Sequence, residues 1–208
     1  GNIMNFNLLK KVLKNKDFVF NFSGISQLDI AISKPFKTVK FNILGLLNIL
    51  EACKLNKVQH LVQASSIYSL SNDGGFYSCS KRAAEDYIRE YEKKFHLNYT
   101  ILRYGSLYGA RADKTNGIFK IIDYAIKNKK LLYEGSRLTR RNYISVEDAS
   151  ALSIKILNKK FRNKTLILKG SESIRVLDLL VKLSKILSID KKKIYFNEKE
   201  QQLGHYIE

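Results

Sequence analysis

Several residue types are scarce in this chain, and each scarcity argues against a class of protein. Its 208 residues include one proline, two cysteines and no tryptophan. Two cysteines are too few for a disulfide scaffold, so we expect Cys53 and Cys79 to be free thiols in a reduced, cytoplasmic protein. No run of about 18 or more apolar residues occurs, and the polar start Gly1–Asn5 does not resemble a signal peptide. We therefore expect no membrane association.

Acidic residues are also scarce, at 19 against 37 lysines and arginines, which gives a formal net charge of +18. Such a charge is typical either of a nucleic-acid-binding protein or of a lysine-rich surface. The lysines are spread over helix ends and loops, and no recognition-helix pattern, paired Cys/His metal spacing or ribonucleoprotein signature accompanies them. We predict a solvated basic surface with no nucleic-acid partner and no metal site, which would also attract a pyrophosphate-bearing ligand.

The hydrophobic pattern of the first half alternates between strands and helices. Buried-strand runs are predicted at residues 18–22, 61–64 and 99–104. Helices are predicted at residues 37–55 and 80–95, with Pro35 in the first turn of the former. This alternation indicates an α/β fold in which crossover helices connect a parallel sheet.

From Gly109 onward the pattern loosens into a smaller mixed region. Helices are predicted at 118–127, 146–157 and 176–187, and extended segments at 130–134, 141–145, 165–168 and 193–196. No repeat or low-complexity linker separates this region from the first half. We therefore predict two regions, residues 1–108 and residues 109–208, with some segments of the second returning to the main sheet.

Tyr77 and Lys81 form a Tyr-x-x-x-Lys pair that would lie on one face of a helix. A nearby ammonium favours the ionised phenol, but lowering a phenol pKa from about 10 to near 7 needs roughly 4 kcal/mol. The alternative is a half-buried tyrosine beside a solvated lysine. The strand that ends at Ser65 and Ser66 lies just upstream, and ligands bind at such strand ends in open α/β sheets.

Six segments in order resemble the NAD-dependent epimerase/dehydratase branch of the extended short-chain dehydrogenase/reductase superfamily, which acts on nucleotide sugars. The segments are residues 17–24, 41–52, 65–66, 77–85, 102–109 and 141–148. The resemblance implies a Rossmann-like doubly wound parallel sheet, with a dinucleotide-binding region followed by a nucleotide-sugar-binding region. It also implies NAD or NADP as cofactor and a nucleotide-diphosphate sugar as substrate.

The resemblance assigns three catalytic residues. Tyr77 would be the acid-base, and Lys81 would bind the nicotinamide ribose and lower the phenol pKa. Ser66, rather than Ser65, would bind the reacting oxygen of the substrate; its alternative is a strand-end serine that caps a turn. A dehydratase would typically carry an acidic pair directly after this hydroxyl, whereas Ile67 and Tyr68 follow Ser66 here, which favours an epimerase.

Further residues are assigned to ligands by the same resemblance. The cofactor would contact Phe22, Ser23, Gly24, Asn42, Ala64, Tyr77, Lys81 and Tyr104. The substrate would contact Ser66, Ser106 and Arg141. Instead of contacting the cofactor, Asn42 could be a buried helix asparagine bonded to backbone, and Tyr104 could be an aromatic residue of the core. Many epimerases have asparagine where Ser106 stands, and Arg137 and Arg140 are alternatives to Arg141 as phosphate ligands.

The remaining implications concern the extent and assembly of the protein. No Gly-x-x-Gly-x-x-Gly occurs, although relatives place one before the region matched here, and Asn2 stands where many have aspartate. We therefore expect the chain to be part of a longer protein, and a homodimer to form through helices 37–55 and 80–95. His60, His96 and His205 are predicted to be structural. Two alternatives stay open, a non-catalytic binding protein of the same fold and a reductase of small carbonyl compounds.

Overall fold

The computed structural model describes residues 1–198, and its elements follow in chain order. The strands are β1 (Phe18–Asn21), β2 (His60–Ser66), β3 (Tyr99–Tyr104), β4 (Ser106–Tyr108), β5 (Leu131–Glu134), β6 (Arg140–Ser145), β7 (Lys164–Leu168), β8 (Ser173–Arg175) and β9 (Ile194–Asn197). The α-helices are α1 (Phe6–Val12), α2 (Leu28–Ser33), α3 (Pro35–Val39), α4 (Gly45–Leu55), α5 (Gly75–Phe95), α6 (Gly117–Asn128), α7 (Val146–Lys155) and α8 (Val176–Ile186). Short 3-10 helices span Ile67–Leu70, Lys159–Phe161 and Lys191–Lys193, and a π-helical turn spans Lys40–Leu44.

Two units make up the described part of the chain. The first comprises Gly1–Tyr104 and Ala151–Leu168, and the second comprises Gly105–Ser150 and the described residues from Lys169. These units are defined only by which residues pack together. The division into regions 1–108 and 109–208, and the binding role assigned to each region, therefore stay predictions.

The first unit is built on four parallel strands in the order β1-β2-β3-β7. Helices α4 and α5 cross between successive strands, as a parallel connection requires. They bury an apolar stripe against the sheet, with Leu46, Ile49 and Leu50 of α4 and Ile88 of α5 in one core cluster with Ile101 of β3. The predicted α/β class with a parallel sheet is confirmed.

Two predicted helices differ in extent from the structure. The helix predicted at 37–55 is three consecutive pieces, α3, the π-helical turn Lys40–Leu44 and α4, and Pro35 does occupy its first turn. The helix predicted at 80–95 begins earlier, at Gly75, so Tyr77 and Lys81 both lie within α5. Helices α1 and α2 were not predicted, because seven and six residues hold too few turns to reveal a helical period.

The second unit has smaller sheets. Strand β4 pairs with β6 in parallel, β8 pairs with β6 antiparallel, and β5 pairs with β9 in parallel. Its core cluster combines the apolar faces of α6 and α8 with β5 and the segment after α8. The buried members are Ile121, Ala125, Leu131, Val176, Leu180, Leu183 and Ile189.

The histidines and cysteines have ordinary structural surroundings where they are described. His60 is fully buried, and its Nε2 lies 2.8 Å from the Thr100 hydroxyl. His96 ends α5 with a φ of 56°, and His205 lies outside the described residues. Cys53 is buried and Cys79 exposed, and both thiols are free. Within residues 1–198, every helix lacks the combination of length and apolar character that crossing a membrane requires.

Candidate active site

The carboxyl ends of three neighbouring strands lie side by side in the first unit. In the parallel register Asn21 is opposite Gln63, and Ser66 is opposite Tyr104. The residues that follow β1 and β2 therefore leave the sheet on the same side, at the carboxyl ends of the strands. Open α/β sheets bind ligands at these strand ends. Phe22, Ser23 and Gly24 follow β1, and Ser66 ends β2.

Helix α5 presents Tyr77 and Lys81 from its first two turns. The loop before it is held against the helix by Ser78, whose hydroxyl lies 2.6 Å from the carbonyl oxygens of both Tyr68 and Ser71. Arg82 donates to the Ser71 carbonyl at 2.7 Å and to the Ser78 hydroxyl at 2.8 Å. These contacts fix the start of α5 relative to the loop that follows Ser66.

Tyr77 is 7% exposed and lies beside Ser66. Burial raises the pKa of Tyr77 to about 12, and a hydrogen bond with the Ser66 side chain opposes that rise. The Tyr68 ring packs edge-on against the Tyr77 ring, with centroids 6.1 Å apart. The structure without ligands thus differs from the expectation of a lowered phenol pKa, because desolvation outweighs the hydrogen bond. The Ser66 hydroxyl also accepts the Tyr68 N–H at 3.2 Å. Ser66 therefore caps a turn as well, which was the alternative to its predicted role in substrate binding.

Lys81 is also buried, with 8% exposure, and its Nζ donates to the Ala64 carbonyl at 3.0 Å. Its Nζ lies 5.6 Å from the centroid of the Tyr77 ring. Burial lowers the pKa of Lys81 to about 8, and the nearby charge of Glu85 opposes that shift. An ammonium has three N–H donors. Ala64 is its one hydrogen-bond acceptor within residues 1–198, so this amine keeps donors for a ligand.

Glu85 lies one helical turn beyond Lys81 and is 1% exposed. It accepts the Ser65 hydroxyl at 2.7 Å, the Arg103 Nε–H at 3.0 Å and an Arg89 N–H at 2.9 Å. Burial raises the pKa of Glu85, but the bonds from Arg103 and Ser65 and the charge of Arg103 outweigh it and hold that pKa below its ordinary value. The network ties α5 to the ends of β2 and β3.

Two of the predicted cofactor residues after β1, Ser23 and Gly24, line an open cleft of about 350 Å³. Its lining residues are Gly1, Asn2, Ile3, Ser23, Gly24, Ile25 and Phe41. Gly24 has a φ of 126°, and a Cβ built on it would lie 2.6 Å from the Asn42 Oδ1. The positive φ favours glycine at this position, and the side chain of any other residue would collide with Asn42.

The other predicted cofactor residues are already engaged by the protein. Asn42 bonds to the backbone of Ile25 and to the Ser80 hydroxyl, as its alternative interpretation had it. The Tyr104 hydroxyl lies 2.6 Å from the Ser153 hydroxyl, and its ring lies 6.3 Å from that of Phe22. Ala64 contributes its carbonyl to Lys81. Phe22, Ser23 and Gly24 are exposed, and the Phe22 side chain is 60% exposed.

The predicted substrate residues Ser106 and Arg141 belong to the second unit. Ser106 begins β4, opposite Tyr143 of β6. Arg141 lies on β6 and donates to the Tyr133 hydroxyl at 3.2 Å. The alternative Arg140 donates to the Ser173 hydroxyl and carbonyl, both at 2.9 Å, while Arg137 pairs with Glu198. The assignment of these side chains to a substrate stays a prediction.

Two buried polar residues beside the site were not singled out from the sequence. Asn21 and Gln63 are 5% and 4% exposed and join through an Asn21 Nδ2 to Gln63 Oε1 bond of 2.8 Å. Their signal was visible, since each is a polar amide inside an otherwise apolar strand run. Only the register, which sets Asn21 opposite Gln63, reveals that they satisfy each other.

Comparison with protein families identifies a match over most of the chain. A model described as "NAD dependent epimerase/dehydratase family" matches residues 1–167. A dTDP-D-glucose 4,6-dehydratase of Dictyostelium discoideum is 28% identical over 186 residues, which cover 76% of this chain and 43% of that protein. A putative UDP-glucose 4-epimerase of Methanocaldococcus jannaschii is 27% identical over 173 residues, which cover 71% of this chain and 57% of that protein. The chain spans about half the length of these curated relatives.

Solved structures share the fold. A UDP-glucose 4-epimerase of Thermotoga maritima, crystallised with UDP-glucose, superposes with a TM-score of 0.88 at 20% identity, covering 98% of this chain and 72% of that one. A dTDP-glucose 4,6-dehydratase of Streptomyces venezuelae, with NAD bound, gives a TM-score of 0.90 at 18% identity, covering 100% and 69%. At such identities the similarity concerns the fold, and it confirms the predicted Rossmann-like architecture.

Proposed function

The chain belongs to the NAD dependent epimerase/dehydratase family, and we propose that it carries out hydride and proton transfer on a nucleotide-diphosphate sugar with Ser66, Tyr77 and Lys81 as catalytic residues. The observation that carries this proposal is the burial of Tyr77 and Lys81 together at the carboxyl edge of the sheet, with Ser66 hydrogen-bonded to the phenol. A solvated lysine beside a half-buried tyrosine, the alternative interpretation, would leave the ammonium exposed.

The residues of the first unit suit a dinucleotide cofactor, NAD or NADP. The cleft beside Ser23 and Gly24 offers exposed backbone, and the spare N–H donors of Lys81 suit the hydroxyls of a ribose. Burying an ammonium with a single carbonyl acceptor is costly unless a ligand completes its hydrogen bonding. When bound, the cofactor would supply hydride-transfer chemistry, and the positive charge of its oxidised ring would favour the ionised form of a neighbouring phenol.

Tyr77 would exchange the proton of the reacting sugar hydroxyl, with Ser66 holding the same oxygen. In the structure without ligands the pKa of Tyr77 is about 12, so the phenol is protonated at neutral pH. Lowering that pKa to near 7 needs stabilisation of the phenolate by about 7 kcal/mol, at about 1.36 kcal/mol per unit. The Ser66 hydrogen bond is already included in that value, so the further stabilisation has to come with the bound cofactor and substrate, and Tyr77 becomes an effective base only in the complete complex.

We propose epimerisation rather than dehydration as the reaction. Elimination of water from a sugar needs an acid and a base beyond the Tyr77 phenol, and the two residues after Ser66 provide no carboxylate. Ile67 is 2% exposed in the protein interior, and Tyr68 packs against Tyr77. A dehydratase and an epimerase resemble the chain at nearly the same identity, 28% and 27%. The choice between the two reactions therefore rests on the residues after Ser66.

A product assay tests this proposal. The purified protein is incubated with NAD and with UDP-glucose, the ligand of the Thermotoga maritima structure, and the products are read by proton NMR. We expect the 4-epimer of the sugar to accumulate. A 4-keto-6-deoxy sugar would instead identify a dehydratase, and NAD binding without turnover of UDP- or dTDP-sugars would identify a non-catalytic binding protein.

We further propose a homodimer, formed through the helical face of α3, α4 and α5. Large apolar side chains on these helices and the connecting π-helical turn are exposed to solvent. They are Phe36, Val39, Leu44, Leu55, Phe76, Tyr87 and Phe95. Exposed apolar residues on adjacent helices are typical of a subunit interface.

We also propose a cytoplasmic location, because the two cysteines are free thiols, which suit a reducing compartment.

A further inference from the structure

Residues 67–74, here called the bridging loop, join the end of β2 to the start of α5. Half of this short loop is the 3-10 helix Ile67–Leu70. Its backbone bonds are local, since the Ser66 hydroxyl accepts the Tyr68 N–H at 3.2 Å and the Tyr68 carbonyl accepts the Ser71 N–H at 3.2 Å. These bonds shape the loop, but they do not attach it to α5.

Ser78 and Arg82, one turn apart on α5, supply that attachment. The Ser78 hydroxyl has one proton, yet the carbonyl oxygens of Tyr68 and Ser71 both lie 2.6 Å from it. Arg82 Nη1, which carries two protons, lies 2.7 Å from the Ser71 carbonyl and 2.8 Å from the Ser78 hydroxyl. Arg82 can therefore donate to both of these groups. The Ser78 proton is then left for the Tyr68 carbonyl, so each carbonyl has its own donor.

The contact between the bridging loop and α5 is closely packed. Ser78 is 0% exposed, and Gly74 at the end of the loop is buried. A Cβ built on Gly74 would lie 2.9 Å from the Ser78 Cβ and 3.1 Å from the Tyr68 Cδ1. Because the Ser78 hydroxyl is enclosed, losing either of the two donors leaves a polar group without a partner, and this favours movement of the loop.

Tyr68 connects this contact to the candidate active site. Its carbonyl faces the Ser78 hydroxyl, its N–H bonds to the Ser66 hydroxyl, and its ring packs against the Tyr77 ring with centroids 6.1 Å apart. The Ser66 side chain in turn forms a hydrogen bond with the Tyr77 phenol. A shift of the bridging loop would therefore move both the Tyr68 ring and the Ser66 hydroxyl relative to that phenol.

We infer that Arg82 and Ser78 are positioning residues, which clamp the bridging loop to α5 and so hold the Ser66 hydroxyl at the Tyr77 phenol. This inference rests on the proposed function, in which these two groups bind the same sugar oxygen. Ser78 is enclosed by protein, so it acts through the loop and not by touching a ligand. The gain is alignment, since small displacements of reacting groups cost large factors in rate.

Amide exchange in the protein without cofactor tests the clamp itself, by NMR on 15N-labelled protein. Arg82→Met removes the guanidinium and keeps an aliphatic stem, and it should speed the exchange of the Tyr68 and Ser71 N–H groups by about tenfold. Ser78→Ala should have the same effect. The double variant should exchange about as fast as either single variant, because either loss opens the same clamp. Lys93→Met is the matched control on the exposed face of α5 and should leave both amides unchanged.

The kinetic test asks whether the clamp matters to the reaction. With NAD and a nucleotide-diphosphate sugar that the wild-type protein converts, Arg82→Met should lower kcat about tenfold while the NAD dissociation constant stays within about twofold. The reason is that the bridging loop holds Ser66 and not the cleft beside Ser23 and Gly24. A merely structural role would lower the unfolding midpoint and leave kcat per folded molecule unchanged, and that result would overturn the positioning role.

Should Arg82→Met and Ser78→Ala fail to fold, Gly74→Ala replaces them. Its φ of −85° is accessible to alanine, while the added Cβ would press on Ser78 and Tyr68 and displace the bridging loop. It should speed Tyr68 exchange and lower kcat.

Unchanged Tyr68 exchange in Arg82→Met would overturn the clamp, and so would a double variant whose exchange equals the product of the two single effects. Because exchange is measured without cofactor or substrate, it decides whether the clamp exists even if the protein proves to have no turnover. Absence of turnover would refute only the proposed function.

Discussion

The Glu85 carboxylate and the Arg103 guanidinium form a two-point ion pair between helix α5 and strand β3. Arg103 Nε donates to Oε1 at 3.0 Å, and one terminal nitrogen donates to Oε2. Glu85 is 1% exposed, and the Ser65 hydroxyl donates to the same Oε1. The helix that carries Tyr77 and Lys81 is therefore bound to the sheet by charge-assisted hydrogen bonds directly behind the site.

Replacing Glu85 by alanine should destabilise the fold severely. The change leaves the Arg103 charge without its buried partner, and breaking a buried ion pair from one side costs about 3–5 kcal/mol of unfolding free energy. Urea denaturation followed by circular dichroism measures it. Glu90→Ala on the same helix is the control, because its pair with Lys93 is exposed, and it should leave the midpoint unchanged. Equal midpoints for the two variants would refute a structural role for the Glu85 network.

Replacing Lys81 by methionine should stabilise the fold at neutral pH while it removes turnover. Burial lowers the pKa of Lys81 from 10.5 to about 8, a penalty on the charged form of about 3 kcal/mol. The lost bond to Ala64 offsets about 1 kcal/mol, so we expect a net gain of about 1–2 kcal/mol. Because the folded pKa lies below the unfolded one, the gain is present at pH 7 and shrinks between pH 8 and 10.5. The control is Lys93→Met, an exposed lysine of the same helix; a loss of stability in Lys81→Met would contradict the account.

His60 should make the fold sensitive to mild acid. Burial and the charge of Arg162 lower its pKa, and its Nδ1 finds no hydrogen-bond partner in the described part of the chain. The unfolded chain therefore binds a proton, below about pH 6.5, that the folded chain excludes, so stability falls as the pH drops through that value. Unfolding free energies at pH 7.5 and 5.5 should differ less in His60→Leu than in the wild type. His96→Asn is the control, at an exposed residue whose φ of 56° asparagine tolerates, and a His60→Leu variant as acid-sensitive as the wild type would exclude this role.

The proposed dimer makes a prediction about the helical face. Light scattering at micromolar concentration should give twice the monomer mass, and Leu44→Glu with Tyr87→Glu should give the monomer, because two charges cannot be desolvated in an apolar interface. Ile186→Glu introduces a charge at another exposed apolar residue, on α8, and should leave the dimer intact. A strict monomer in the wild-type protein would end this proposal.

The elements with a strong local pattern were predictable from the sequence. Strand β3 was predicted at its observed bounds, because Tyr99–Tyr104 is rich in aromatic and branched aliphatic residues and is bounded by Asn98 and Gly105. The three-residue strands β4 and β8 were missed, since they are too short to show a period of two. The early start of α5 was missed because Gly74 and Gly75 indicate a loop, although the helix begins at the second of them.

The surroundings of the candidate site were less predictable, for two physical reasons. The pKa direction of Tyr77 depends on how deeply the ring is buried, and a Tyr-x-x-x-Lys spacing carries no information on burial. The hydrogen bonds of Asn21 with Gln63 and of Asn42 with Ser80 depend on strand register and on contacts between residues distant in the chain. Ser66, Tyr77 and Lys81 do lie together, and their catalytic roles stay predictions.

Turnover by Tyr77→Phe tests the central claim most directly. The substitution removes the phenolic oxygen and keeps the ring, so packing against Tyr68 is retained, while Tyr87→Phe on the exposed face of α5 serves as the control. With NAD and a nucleotide-diphosphate sugar that the wild-type protein converts, kcat of Tyr77→Phe should fall by about 10²-fold or more while NAD affinity stays within about twofold. Turnover equal to that of the wild type would contradict the assignment of Tyr77 as the acid-base residue.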